Sequence, residues 1–198
     1  MLSSLFVAII LQSANSAKLV ISADGKPAGT VSISQKILPD GSKLVQSVIE
    51  LNASAKHILK IRLESSYSSK GIPQRKSMES TLDGKRRRLV LATFTAKGAE
   101  VVIDEGGTRK TKSIPLADAA PRENMAEFWF IRDRPKAGDS VRAYNFDLDK
   151  FSWELTTTTY LGLSKEGHMV KNNNSESTLD DHGLPIRIVT ETATFKRQ

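Results

Sequence analysis

The stretch KHILKIRLESSY, residues 56–67, alternates: His57, Leu59, Ile61, Leu63 and Tyr67 fall on odd positions, and Lys56, Lys60, Arg62, Glu64 and Ser66 on even ones. Ser65 completes the odd set and Ile58 the even one. A two-residue period belongs to a β-strand, whose successive side chains leave on opposite faces; a helix would need apolar residues three and four apart. The segment therefore predicts a strand with one dry and one wet face, as in an antiparallel sheet buried on one side.

The same alternation recurs along the chain. Val31, Ile33 and Ile37 oppose Thr30, Ser32, Ser34 and Lys36, and Phe151, Trp153, Leu155 and Leu161 oppose Ser152, Glu154, Thr156 and Thr158. The threonines of the latter run suit a pleated strand. Leu89 and Leu91 project to one side and Val90, Ala92 and Phe94 to the other, which reads as a strand covered on both faces. Thr108 to Lys112 is polar throughout and reads as an edge hairpin whose cations discourage edge-to-edge pairing. Between such runs stand Asp24-Gly25, Asp40-Gly41, Lys70-Gly71, Asp83-Gly84, Lys97-Gly98, Gly106-Gly107, Glu166-Gly167 and His182-Gly183. Glycine in these pairs supplies the positive φ of tight hairpins, so sequence neighbours should run antiparallel.

One segment reads as a helix. Pro121 stands near a first turn, Met125, Phe128, Trp129 and Arg132 recur at helical spacing between Arg122 and Asp133, and Pro135 and Gly138 close the run. The expected architecture is mainly β: a single curled antiparallel sheet of about 10–11 strands, a half-barrel or open barrel, with one short helix packed at its concave side.

The helix-to-strand stretch Phe128-Trp129-Phe130-Ile131-Arg132-Asp133-Arg134-Pro135, followed by Gly138, Asp139, Ser140 and Val141, resembles a junction in a bacterial β-rich envelope family of unknown function. The opening Ala23-Asp24-Gly25-Lys26-Pro27-Ala28-Gly29 and the runs Gly71 to Arg75 and Gly183 to Arg187 are similar to its turns. Members of that family occur alone or ahead of transglutaminase-like domains, and the resemblance implies an architecture like the half-barrel of LolA/LolB-type lipoprotein carriers. It offers no catalytic residue to carry over, and a transglutaminase-like centre would need a cysteine that this chain does not have.

The N-terminus adds a compartment. Residues 1–16 carry no charged side chain and hold an apolar run from Leu5 to Leu11, shorter than the roughly 20 residues a bilayer requires. Ala14-Asn15-Ser16 gives the small-x-small pattern read by signal peptidase. The expectation is a signal peptide over 1–16, cleaved near Ser16/Ala17, and a single domain over 17–198 in the periplasm or outside the cell; a first β-strand is the other reading. No later segment is apolar enough to span a membrane.

Composition narrows the chemistry. With no Cys, thiol nucleophiles, thiolate metal sites and disulfides are excluded. Lys and Arg number 29 against 22 Asp and Glu, a net charge of +7. That favours anionic partners, among them lipid headgroups, acidic polysaccharide or an acidic envelope protein rather than nucleic acid, or serves solubility alone. His57, His168 and His182 lie in no metalloprotease-like helix, and no nucleophile elbow or phosphate loop occurs. Asp180-Asp181-His182 reads as a turn before Gly183 rather than a ligand set, His57 as a core or rim residue, and Glu123 and Glu127 as a solvated pair. No cofactor, metal or enzymatic activity is expected.

Two binding features remain. Arg86, Arg87 and Arg88, behind Lys85, could join Arg109, Lys110 and Lys112 in a basic patch for phosphate or carboxylate groups, or keep strand ends solvated. The aromatic run Phe128, Trp129, Phe130 and Ile131 either completes the core or borders a hydrophobic groove. The chain is thus read as an exported binding module for a lipid or other amphiphile, the alternative being an interaction or scaffold domain acting through an exposed face or edge strand. A concave cavity of about 300 Å³ or more would favour the first.

Overall fold

The structure, a computed structural model, describes residues 14–54, 56–116 and 129–198. One antiparallel sheet of fourteen strands dominates these residues. β1 (Ala14–Ala23), β2 (Lys26–Ile37), β3 (Lys43–Ser54), β4 (His57–Tyr67), β5 (Pro73–Leu82), β6 (Lys85–Thr95), β7 (Gly98–Glu105) and β8 (Thr108–Pro115) follow one another as a meander to one edge. The next described element is a single helical turn, α1 (Trp129–Asp133), and β9 (Ser140–Asp147) then opens the opposite edge. The chain returns through β10 (Ser152–Leu163), β11 (His168–Asn172), β12 (Ser175–Leu179) and β13 (Pro185–Thr190) to β14 (Ala193–Arg197), which pairs with β1. First and last strands therefore meet in the middle of the sheet.

Local chemistry explains the hairpins. Asp24-Gly25, Asp83-Gly84 and Gly106-Gly107 all have positive φ at both positions, the two-residue turn whose twist matches that of its strands. All eight glycine turns read from the sequence fall at junctions of consecutive strands, with Gly98 as the first residue of β7. Two expectations need correction. The sheet has fourteen strands rather than 10–11, because four hairpins turn without glycine: between Ser54 and His57, between Asp147 and Ser152, at Asn173-Asn174, and at Glu191-Thr192. The three-turn helix over Arg122–Asp133 is represented among the described residues only by the five residues of α1, and 117–128 lie outside them. Ala14, Asn15 and Ser16 extend β1, opposite Lys36, Gln35 and Ser34.

Register carries one face inward across the ladder: Ala17, Ile33, Ser47, Leu63, Met78, Val90 and Ile103 stand in one row. The sheet curls on this face. Phe146 and Leu148, from the β9 end, pack in one cluster with Met78, Val90, Ala92, Val101 and Ile103 from the β5–β7 side. Phe94, Phe146 and Trp153 meet there as ring pairs with centroids 5.0–5.8 Å apart. The edge strands β8 and β9 do not pair with each other, so the sheet stays open and side-chain packing brings its two ends together. Burying each such side chain contributes about 1.5–3 kcal/mol. A second cluster, Ala17, Leu19, Ile21, Val31 and Leu184, fills the region where β1 lies.

Candidate functional site

The concave side of the curl carries a half-open cavity of about 370 Å³. One wall comes from β2 to β5 and the other from β9 to β13, with Phe130 of α1 over it. The lining is of two kinds. Val170, Leu179, Leu184 and Ile188 join Phe130, Ile33, Val45 and Leu63 as its apolar part. Gln35, Ser65 and Lys76 follow from the register of β2 to β5: Gln35 lies opposite Val45, Val45 opposite Ser65, and Ser65 opposite Lys76. The Lys76 ammonium donates to the side-chain oxygen of Asn145 on β9, tying opposite ends of the sheet together beside the cavity.

On the far wall, Thr158 is buried and its hydroxyl donates to Asn172 Oδ1 at 2.7 Å. Just beyond, Asn173 replaces a missing ladder partner: its Oδ1 accepts from the Thr157 amide and its Nδ2 donates to the Leu155 carbonyl, both at 3.1 Å. Satisfied in this way, the ends of β10 and β11 can border a cavity without leaving backbone groups unmatched.

Phe130 is held from behind. Its ring lies parallel to Tyr160, centroids 6.3 Å apart, and 5.1 Å from His168. The Tyr160 hydroxyl and His168 Nδ1 are 2.9 Å apart, and His168 Nε2 lies 3.2 Å from Asp181. The neighbouring Asp180 fastens the β12–β13 turn that carries Leu184. Its Oδ1 accepts from the amides of His182 and Leu184, and its Oδ2 from the Arg197 guanidinium at 2.8 Å. Burial pushes the Asp180 pKa up, but the Leu184 amide, Arg197 and the His182 amide outweigh it and hold the carboxyl below its usual value.

The residues singled out in the sequence divide. Trp129 and Phe130 are 7% and 4% exposed, in a cluster with Val141, Tyr160, Val170 and Leu179, so both belong to the core and Phe130 also faces the cavity. Phe128 and the side chain of Ile131 lie outside the described residues. The six basic residues are not brought to one face. Lys110 and Lys112 stand opposite Ile103 and Val101, on the inward side, and Arg88 shares that side through Glu105. Arg109 stands opposite Asp104 on the outer side, where Arg86 reaches Asp104 at 3.2 Å, and Arg87 is the extra residue of a bulge. Arg88 pairs with Asp149 at 2.8 Å, and Arg88 and Lys112 both lie over the Phe151 ring. These cations brace the β8 edge against the β9–β10 turn.

His57 stands at the exposed start of β4, 2.7 Å from Asp83, whose carboxyl the His57 contact and the Ile58 amide hold below its usual value. Asp180 and His182 form a turn, as their spacing suggests. Among the described residues no three His, Asp or Glu side chains gather as a metal would require, and no helix is long and apolar enough to cross a membrane.

Lys76, Ser65 and Asn145 were not among the residues singled out. Their signal was present but faint: Ser65 interrupts the dry face of KHILKIRLESSY, and Ser47 stands between Val45 and Ile49 in the same way. A polar residue on an inward position marks either a bonded core group or a cavity wall.

No family model matches the chain, and no curated protein matches it. Among solved structures, the chain is similar to a crystal structure described as a β-barrel-like protein of the domain of unknown function DUF1849, from Brucella abortus. The TM-score is 0.61 at 9% identity, over 92% of this chain and 94% of that one. At this identity the likeness concerns the fold alone: the chain has the fold of that β-barrel-like protein, with a sheet open at β8 and β9.

Proposed function

We propose that the protein is a non-catalytic binding module of the bacterial envelope whose interior cavity holds a small amphiphile. The observation that carries this reading is the cavity itself. Its volume of about 370 Å³ falls in the range of small-molecule sites, and its wall combines apolar side chains with polar ones such as Gln35, Ser65, Asn145 and Thr158. The resemblance to LolA/LolB-type half-barrels points the same way. Export is compatible with the strand geometry: cleavage near Ser16/Ala17 would take three residues from the start of β1 and leave the buried Ala17, Leu19 and Ile21 in place. The non-catalytic part of the reading is supported by His57 and His168, whose rings are engaged by Asp83 and by Phe130 and Tyr160.

The scaffold alternative draws on the two edges, each hydrogen-bonded on one side only among the described residues. At β8 it is opposed by Lys110 and Lys112 on the inward side, a placement that hinders an added strand.

The test is mild purification of the full chain followed by native mass spectrometry and solvent extraction. One equivalent of a single-chain amphiphile, or uptake of added decanol at that stoichiometry, is the expected result. A chain that carries and takes up none would make the cavity a packing void and end the reading.

A further inference from the structure

We propose that the convex face of the sheet carries a docking site for the phosphate headgroups of an anionic bilayer, built from Lys18 of β1, Arg187 of β13 and Lys196 of β14. The cavity takes no part in it.

The register points to the place. Five times among the described residues it sets two charged side chains directly opposite each other with opposite signs: Glu50 with Lys60, Arg62 with Glu79, Arg88 with Glu105, Asp104 with Arg109, and Lys171 with Glu176. Once it sets like signs together, Arg187 opposite Lys196. Directly opposed like charges destabilise a sheet, so this pair works against the fold. A local rule broken without gain to the fold marks a functional position. Lys18 adds a third cation. Val20 of β1 stands opposite Lys196, and Lys18 is two residues from Val20 on the same face, which puts its Cβ about 7–8 Å from that of Lys196. All three side chains are exposed, while their strand neighbours Leu19, Ile188 and Phe195 face inward. None of the three forms an ion pair or a side-chain hydrogen bond among the described residues. The acids of this region are taken: Lys60 holds Glu50 at 2.9 Å, and Glu176 faces Lys171. Thr178 opposite Arg187 and Ser32 opposite Lys18 add hydroxyl groups.

Chemistry names the partner. A guanidinium and two ammonium groups are the donors from which phosphate oxygens accept charge-assisted hydrogen bonds. On the outside of the curl they stand on a surface without walls, which cannot surround a small anion but can touch several headgroups of a bilayer at once. Each cation brought to an anionic surface strengthens binding about fivefold, so the three together supply about a hundredfold.

The experiment is co-sedimentation of the full chain with vesicles of phosphatidylcholine alone and of phosphatidylcholine and phosphatidylglycerol in equal parts. Binding to the anionic vesicles only, weakened by added salt, is the expected result. Arg187→Gln with Lys196→Gln should weaken it about thirtyfold. Lys60→Gln with Arg109→Gln removes the same net charge from positions already paired and should weaken it far less. The first double variant should also unfold at the same temperature as the native chain or higher, since it removes a repulsion; a lower Tm would show the pair to be structural and overturn the site. Equal binding to both vesicles, binding to neither, or an equal loss in the two double variants would overturn it as well, the last leaving net charge alone at work. Tighter binding to polyglutamate than to phosphatidylglycerol would assign the cluster to an acidic protein and overturn the bilayer as its partner. Displacement from vesicles by inorganic phosphate, but not by chloride at equal ionic strength, would do the same in favour of free phosphate. Decanol uptake is a separate measurement that neither double variant should change, so failure of the docking site leaves the cavity reading standing.

Discussion

Asp180 does the work of several residues. It caps two amides of the β12–β13 turn and pairs with Arg197, which also donates to the carbonyls of Pro185 and Leu184. Because a charged acceptor serves three donors, replacing it by Ala should cost about 1–3 kcal/mol. For a chain of this length each kcal/mol lowers Tm by about 2–4 °C. The pH dependence follows from the depressed carboxyl. The unfolded chain takes up its proton near the ordinary value of 3.8, the folded chain only below that. The stabilisation from Asp180 is therefore complete above 3.8 and disappears as pH falls through the lower folded value. Thermal unfolding of the native chain and Asp180→Asn should differ at pH 7, and the gap should shrink as the pH is taken below 3.8; a gap that does not change with pH would show that Asp180 acts through packing instead. The turn itself was legible, since Asp before Gly announces one. Its link to Arg197, seventeen residues away, was not, because sequence spacing carries no information about which side chains meet across strands.

At the scale of the strand, legibility follows glycine. Where a turn needs positive φ at glycine, as at Gly25 or Gly84, the sequence marks it. Where Asp147 instead bonds the amides of Asp149 and Lys150 and Phe151 takes a φ of 54°, nothing in Asp147-Leu148-Asp149-Lys150-Phe151 announces a hairpin. The short strands β11 and β12 escaped notice for a related reason: five-residue elements around the polar run Asn172-Asn173-Asn174 have too few inward positions to show a period. Gly29 shows a different use of glycine. It lies beside the irregularity where β1 slips against β2, and a Cβ there would stand 2.0 Å from the Glu50 carbonyl oxygen and 3.0 Å from Leu51 Cα. Both obstacles are backbone, so strands β2 and β3 would have to part. Gly29→Ala should cost about 1–3 kcal/mol, by the same overpacking that penalises an extra methylene in a core. Gly84, with nothing within 4 Å of its would-be Cβ, has only its φ of +76° to lose, about 1–2 kcal/mol. Denaturant midpoints of the two variants, with amide exchange at Glu50 and Leu51, separate the cases: only Gly29→Ala should loosen the β2–β3 ladder.

For the whole molecule, the question is what holds an open sheet curled around a cavity. Hydrogen bonds do so everywhere but between β8 and β9, and there the task falls to packing. Phe146, 3% exposed and in contact with Phe94 and Trp153, is the largest contribution from the β9 end. Lys76 to Asn145 and Arg88 to Asp149 add polar ties across the same gap. Ion pairs at exposed positions contribute little, whereas truncating a buried phenylalanine removes both its transfer energy and its contacts. Phe146→Ala should therefore cost about 3–5 kcal/mol and lower Tm by about 6–20 °C. Asp149→Asn, which removes one exposed pairing, should shift Tm by no more than a few degrees. If packing is the closure, Phe146→Ala should also bind an apolar dye such as ANS at a temperature where it is still folded, because the β9 end then exposes the inner face. A variant that is destabilised yet binds no dye would place the closure in the polar ties, and Asp149→Asn would then be the change that opens the sheet.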